Sequence, residues 1–471
     1  MGRTLLFDPF PAHGHVNAML RLANKLGESG HTIIFIGYVD FAEKVRSAGY
    51  NYYIVDSFVL TPEIKEIDDK GLSGFVLENI SNPRFKRLEK ELESKTIIYD
   101  GMMNALDPDL IFLDNHYSGK AFFYSKYDLP LINVQTMLLP LRDKYLPPFQ
   151  SGFIPSNNHL SYLRIKIAWS WIKVYRDAKH IYTLLLTLGQ INLRFLQRKF
   201  PRSGYTIDWN RCFGFGINQI PTVCLTPKSF DFPRKKTGHN IFHFGYYPTT
   251  DGVRIEDGRL ARLLDHHQTD ISNNKQNLLV YCSLGTVTTQ FPQRSTRFFN
   301  VILKVAMQYP NHRFILSLGN DFDISKLMHK PPNVGIFTHV PQQSLLPHVD
   351  IMITHGGFNT IRECIQAEVP MLVYPLTRKW DQPGNSARVV FHRIGMKGNI
   401  RKINTRSLKS KIEGMIIQRN EFRENIHCMR KRIENQQTDE ITAIQNVIYT
   451  LTNEHNPRSS TVYSSKYWHQ T

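Results

Sequence analysis

The sequence predicts an α/β protein of two similar domains that face one another across a ligand cleft. Three observations carry this. The chain has 471 residues, more than one hydrophobic core usually organises and enough for two domains of about 200 residues each. Short β-rich runs alternate with segments of helical periodicity, the pattern of βαβ units and a parallel sheet. The series also begins twice, each time as a strand, a glycine-bearing loop and a helix. In open sheets of this kind ligands sit beyond the carboxyl ends of the strands.

In the first half Leu5–Phe7 reads as a strand and Val16–Leu26 as an amphipathic helix. His31–Gly37 is β-rich, Phe41–Ala48 helical and Tyr52–Val55 a strand again. Leu110–Leu113 and Leu131–Val134 are short apolar runs of the kind buried on both faces of a parallel sheet. Residues 140–220 break the rhythm with proline, aromatic and basic side chains. They read as helical insertions, with helices near Leu160–Val174 and Tyr182–Arg198. Ile220–Leu225 reads as the last strand of this domain, which closes at 226. Residues 227–276 are polar and rich in Pro, Gly and Asn, a linker. The second domain, 277–455, opens with the strand Leu278–Cys282 and the helix Ser295–Gln308. The strands Arg313–Leu316, Val334–Phe337, Ile351–Thr354 and Met371–Tyr374 follow. Residues 456–471 have the composition of a tail.

Composition excludes several classes. Hydrophobic residues make up 41% and charged residues 21%, values of a globular chain rather than a disordered one. The N-terminus shows no signal-peptide pattern, and no apolar run reaches the ~20 residues that cross a bilayer. Five scattered cysteines without metal spacing suit free thiols in a reducing compartment, so a cytoplasmic location is expected. The net charge is +18. Residues 160–202 hold nine basic side chains against one acid, Asp177, and 401–435 hold a second basic cluster. Neither contains a nucleic-acid motif, and no nucleic-acid partner is expected. The first, with Trp169, Trp171, Tyr175 and Tyr182 among its cations, could pack on its domain, shape an apolar pocket or lie on a membrane surface.

The stretch from His355 to Gln382 carries most of the chemistry. It follows a strand and opens a helix. Gly356 and Gly357 allow close backbone approach, Asn359 and Thr360 suit a helix start, and the exposed N–H groups form a site for a diphosphate without a metal. Glu363, one turn further, is placed to accept hydrogen bonds from two vicinal hydroxyls. Asp381 and Gln382, in the loop after the next strand, offer acceptors and donors for sugar hydroxyls. In the first domain the loop at 11–20 also opens a helix and holds His13 and His15. Either could serve as a base near neutral pH, with His116 a third histidine in reach of the same strand ends.

At these residues the sequence resembles the UDP-glycosyltransferase family, glycosyltransferase family 1, and within it the bacterial-type small-molecule glucosyltransferases. The motif His-Gly-Gly-x-Asn-Thr-x-x-Glu, then Val-Pro, then Asp-Gln, carries the resemblance. It implies the GT-B fold, two facing Rossmann-like domains with donor and acceptor meeting in the cleft. It implies a UDP-sugar, glucose by the Gln382 ending, as co-substrate, with no metal or other cofactor. It places His355, Gly356, Gly357, Asn359 and Thr360 on the diphosphate, Glu363 on the ribose, and Asp381 and Gln382 on the sugar. Val340 and Gln342, beside Pro341, match the turn that takes the uracil, and Ser283, Gly285 and Thr286 a second phosphate loop. Among the histidines it selects His15 as general base, with Asp114 its partner. Two departures stand out: Ala18 replaces a family proline, and Thr377–Trp380 lengthens the approach to Asp381 by about two residues. The expected reaction is inverting transfer to a hydroxyl of a lipophilic small molecule. The alternatives are a membrane-surface enzyme with a lipid or carotenoid acceptor, and a non-catalytic nucleotide-sugar-binding protein. Asp107-Pro-Asp109 and Asp321-Phe-Asp323 read as turns rather than metal sites, and Gly214-Phe-Gly216 as a turn rather than a dinucleotide fingerprint.

Overall fold

The computed structural model describes the chain except residues 1, 56–79, 81–82, 188, 190, 202–203, 236–237, 239, 246–254, 256, 273–276, 321, 379 and 455–471, and except the side chains of residues 266, 268–272, 286–287 and 289. The expected tail and Asp321 therefore lie outside the described residues.

The first sheet has seven parallel strands in the order β3-β2-β1-β4-β5-β8-β9. They are β1 (Thr4–Asp8), β2 (Thr32–Gly37), β3 (Asn51–Ile54), β4 (Leu110–Asp114), β5 (Leu131–Gln135), β8 (Thr222–Cys224) and β9 (Ile241–His243), while β6 (Ile207–Asp208) and β7 (Gly216–Ile217) pair as a small antiparallel ribbon. Burial alternates along β1: Leu5 and Phe7 join the core layer of α1 (His13–Glu28) and α2 (Ala42–Ser47), and Leu6 joins the layer of α3 (Arg84–Leu106) and α4 (Lys120–Tyr124). This two-sided burial is why the strands read as continuous apolar runs.

The second sheet has six parallel strands in the order β12-β11-β10-β13-β14-β15. They are β10 (Leu279–Ser283), β11 (Arg313–Ser317), β12 (Val334–Phe337), β13 (Ile351–Thr354), β14 (Met371–Val373) and β15 (Gly395–Lys397). Between the sheets' strands run α5 (His159–Leu186), α6 (Asn192–Lys199), α7 (Gly258–Ser272), α8 (Pro292–Ala306), α9 (Gln342–Leu345), α10 (Phe358–Gln366) and α11 (Gln382–Phe391), with α12 (Thr405–Ile417) and α13 (Arg419–Glu454) at the end. In both sheets the order reverses beside the first strand, so each has a crevice at its carboxyl edge, and the loops of β1 and β4 lie opposite those of β10 and β13.

Three expectations change. In the basic aromatic region the two expected helices have other bounds: α5 runs for 28 residues, past the expected end at Val174, because its charged middle segment points outward and does not interrupt the backbone, and α6 covers only Asn192–Lys199. The stretch expected as a linker carries β9, the seventh strand of the first sheet, and α7, whose Leu260 and Leu264 enter the core of the second domain. The 36-residue α13 does not stay with the second domain: Ile426, Met429 and Ile433 pack there, whereas Ile444 and Ile448 are buried in the core of the first. Glu440 accepts a hydrogen bond from the Gly245 amide at 2.6 Å, and Asn453 accepts one from Arg3 at 2.7 Å. This helix thus clamps the domains from behind. On the cleft side α11 packs so closely that a Cβ on Gly384 would meet the Phe149 carbonyl oxygen at 1.5 Å.

Candidate active site

β4 ends at Asp114, which has no solvent exposure. Its carboxylate caps the next turn, accepting from the His116 amide at 2.9 Å. Across the sheet edge, α1 begins at His13, so that His15 faces the end of β4. The His15 Nδ1 lies 2.7 Å from one Asp114 oxygen and 3.0 Å from the Thr136 hydroxyl; the His116 Nδ1 lies 3.2 Å from the other Asp114 oxygen. With Nδ1 committed as the donor to a carboxylate, the lone pair of His15 sits on Nε2, the arrangement of a general base. Burial alone would lower the pKa of His15, but the charge and hydrogen bond of Asp114 outweigh it, so His15 titrates above the usual 6.5. Burial likewise opposes ionisation of Asp114, yet the two histidines hold it well below the usual carboxylate range.

The histidine alternatives separate by position. His13 is exposed and packs on Phe41, with ring centres 5.2 Å apart, away from Asp114. His116 stands edge-on to His15 at 4.4 Å and shares its carboxylate. Phe10 contacts both rings, Phe213 lies 5.0 Å from His116, and Phe149 lies 6.4 Å from Phe213. Phe10 and Phe213, both partly exposed, make an apolar wall beside the pair, and Phe149 is buried behind it. Sequence reasoning missed it, since only the fold brings residues 10, 149 and 213 together. His15, Asp114 and His116 also form the one group among the described residues whose ligating atoms lie within 4.8 Å of one another. Both Nδ1 atoms address carboxylate oxygens, so the cluster is complete as a hydrogen-bonded triad.

On the other side, Gly356 adopts φ +89°, and a Cβ there would meet Val373 at 2.6 Å. Gly357 caps α10. His355 is wedged between two glycines: a Cβ on Gly285 would meet its ring at 2.7 Å, and one on Gly357 at 2.6 Å. Burial lowers the His355 pKa to about 4, so the ring is neutral, and its buried Nδ1 has no protein partner. The Ser283 hydroxyl, buried, accepts from the Gly285 amide at 3.2 Å. The side chain of Thr286 lies outside the described residues.

Glu363 and Gln342 come together, the Gln342 amide donating to the Glu363 carboxylate at 2.5 Å and to the Thr360 hydroxyl at 3.3 Å. Asn359 donates to the Gly14 carbonyl at 3.4 Å and accepts from Arg21 at 3.0 Å, so its side chain bridges the two domains beside His15. Asp381 faces the same space, near enough for its charge to act on His15. Its own pKa is raised by burial, against the hydrogen bond that Asn385 donates at 2.9 Å. Asn385, fully buried, also donates to the Gly356 carbonyl at 2.9 Å. It thereby ties the glycine loop to Asp381, a positioning role with no sequence signal besides its place four residues after that acid.

Two expected donor residues are more enclosed than the others. Val340 is 3% exposed and its side chain packs in the core, so its backbone beside Pro341 is the part a base could meet. Gln382 is 2% exposed, and its side-chain oxygen accepts from the Leu376 amide at 2.8 Å and the Thr377 amide at 3.3 Å. It staples the loop before Asp381. That loop also rests Trp380 edge-on against Phe291.

Two facing parallel sheets, with an acid-held histidine on one edge and a glycine-rich helix start on the other, define a GT-B glycosyltransferase. Residues 265–440 match the family described as UDP-glucoronosyl and UDP-glucosyl transferase. A UDP-glucosyltransferase of Bacillus subtilis (strain 168) described as uncharacterized, YojK, is 31% identical over 386 residues, covering 79% of this chain and 80% of its own. The zeaxanthin glucosyltransferase of Pantoea ananas is 21% identical over 406 residues, with 83% of each chain covered. Among solved structures, the spinosyn forosaminyltransferase SpnP superposes with a TM-score of 0.61 at 17% identity, over 95% of this chain and 100% of that one. The chain belongs to the UDP-glycosyltransferase family and is an enzyme of that family.

Proposed function

We propose that this enzyme transfers glucose from UDP-glucose, with inversion, to a hydroxyl of a lipophilic small molecule, and that it needs no metal. The observation that carries this reading is the 2.7 Å contact between His15 and the buried Asp114, set opposite the His355–Thr360 helix start. In the proposed step the acceptor O–H gives its proton to His15 Nε2 as its oxygen bonds to the anomeric carbon. The bond from that carbon to the diphosphate oxygen breaks, and UDP leaves toward the amides at the start of α10. Glu363 takes the ribose, with Gln342 fixing its orientation. Asp381 takes the sugar hydroxyls, and Gln382 acts by holding the loop that presents it. The wall of Phe10 and Phe213, backed by the buried Phe149, suits an apolar acceptor, and the zeaxanthin glucosyltransferase relative is consistent with one. The cysteines, all free thiols, fit a cytoplasmic location.

The deciding experiment follows UDP release with UDP-glucose and a panel of hydrophobic alcohols and phenols, in EDTA and with added Mg²⁺. Turnover with a β-glucoside as product, equal in both buffers, is expected. UDP binding without turnover on any acceptor would favour a nucleotide-sugar-binding protein, and loss in EDTA would place an ion on His15, Asp114 and His116.

A second test addresses the phosphate side. Gly285→Ala adds a Cβ 2.7 Å from the His355 ring at a φ of +67°. Backbone strain and overpacking together cost about 1–3 kcal/mol, and the displaced ring should raise the KM for UDP-glucose about tenfold or more while kcat changes less. An unchanged KM would remove His355 from the donor site.

A further inference from the structure

α5 has two faces with opposite surroundings. Ser161, Ile165, Trp169 and Thr183 are buried, and the Trp169 indole donates to the Leu146 carbonyl at 2.8 Å. At 3.6 residues per turn the opposite side is the stripe Leu163, Ile167, Trp171, Val174, Ile181 and Leu185. Every one of these is more than half exposed, Trp171 and Leu185 at 71%. An apolar stripe of this length, diametrically opposite the packed face, has no role in the core. Exposed cations border it on both sides, Arg164 on one, Lys166 and Lys173 on the other, and Asp177 is the only acid of the helix.

We infer that the outer face of α5 docks on an anionic phospholipid bilayer, lying in the interface rather than crossing it. Among the described residues no helix is long and apolar enough to span a membrane. An apolar stripe with a bulky aromatic, flanked by Lys and Arg, is what an interfacial helix needs. The same charges oppose a second copy of this chain on that face, since two copies would bring basic borders together. The location is also informative. The inner face holds the segments that carry the aromatic wall and its backing: Leu146 lies three residues before the buried Phe149, and Arg176 donates to the carbonyls of Trp209 and Arg211, just before Phe213. Docking α5 therefore sets the acceptor side of the cleft beside the bilayer, where a lipophilic acceptor is dissolved.

The test is vesicle flotation of the full chain, independent of turnover. Phosphatidylcholine vesicles with and without about a third phosphatidylglycerol are compared with Ile167→Glu/Trp171→Glu and with Lys166→Glu/Lys173→Glu. Each near-surface cation contributes about fivefold in affinity. Wild type should float with the anionic vesicles only, lose binding in 1 M salt, and fall at least tenfold in both variants, while circular dichroism and UDP binding stay unchanged. Failure of wild type to float with anionic vesicles, or flotation that both variants retain, overturns the inference. So does a wild-type dimer in sedimentation that Ile167→Glu/Trp171→Glu converts to monomer without any vesicle binding, since a second copy would then cover the stripe.

Discussion

His15→Ala should lower kcat about 10³-fold while leaving UDP affinity within twofold. General-base catalysis is worth about 10²–10⁴, and this base has no substitute in place: His13 faces away, and the Nδ1 of His116 is held by the other oxygen of the same carboxylate. UDP affinity should survive because the donor contacts lie on the opposite sheet. Isothermal titration with UDP, next to steady-state UDP release, separates the two effects. Wild-type turnover in this variant would end the assignment.

The pH profile adds a readout that a structural role would not move. His15 must be neutral to accept a proton, and its pKa is raised above 6.5. Activity should therefore be full above that raised value and fall as pH drops through it. Asp114→Asn removes the charge that raises it and leaves burial, which lowers it. The acid limb should shift to lower pH. The maximal rate should also fall by about 10²-fold or more, because a neutral amide no longer holds the Nδ1–H tautomer. An unshifted limb would mean that the titrating group is not His15.

What could be read from the sequence was whatever is local along the chain. β1, β4, β10 and β13 announce themselves because strands buried on both faces must be apolar throughout, and the glycines of the two strand-to-helix loops mark where backbone meets a ligand. His15 and Asp114 sit at such strand ends. The rest depends on contacts that sequence spacing does not encode. β9 is three residues long and follows a polar stretch. α5 reads as ending at Val174 because charged residues follow, although that charge faces outward. The periodicity of α13 shows that it buries one face, not that successive turns serve different domains. At the site, spacing does not show that the Gln382 side-chain oxygen is held by the Leu376 amide, or that the Val340 side chain lies in the core. Asn385 and Phe213 acquire their positions only from the closure of the cleft.

Asp231→Ala should destabilise the protein by about 3–5 kcal/mol, the usual consequence of leaving buried cations without their carboxylate. Asp231 follows β8 of the first domain. Arg388, on α11 of the second, donates to it through Nε at 2.7 Å, and Arg234 does so at 3.0 Å. Both guanidiniums are buried, and Arg388 also lies over the Phe232 ring at 4.2 Å. Burial raises the pKa of Asp231, but the two arginines override it and hold it at about 2. Because the folded value is depressed, the contribution is complete above the ordinary carboxylate value near 4 and disappears as pH falls from there towards 2. Urea unfolding followed by tryptophan fluorescence should therefore show the wild-type advantage over Asp231→Ala at pH 7 and its loss under acid. The triple replacement Asp231→Leu/Arg234→Met/Arg388→Met, which removes the carboxylate and both buried cations, should recover much of the loss, since well-packed apolar replacements of buried ion pairs and triads are often neutral or better. Equal midpoints for wild type and Asp231→Ala at pH 7 would show that the pin carries no net stability. The consequence reaches the chemistry, because Arg388 also donates to the Gly384 carbonyl at 3.0 Å, on the turn that rests against Phe149. Asp231→Ala should then lower kcat even where the chain is folded, through a loosened approach of Asp381 to His15.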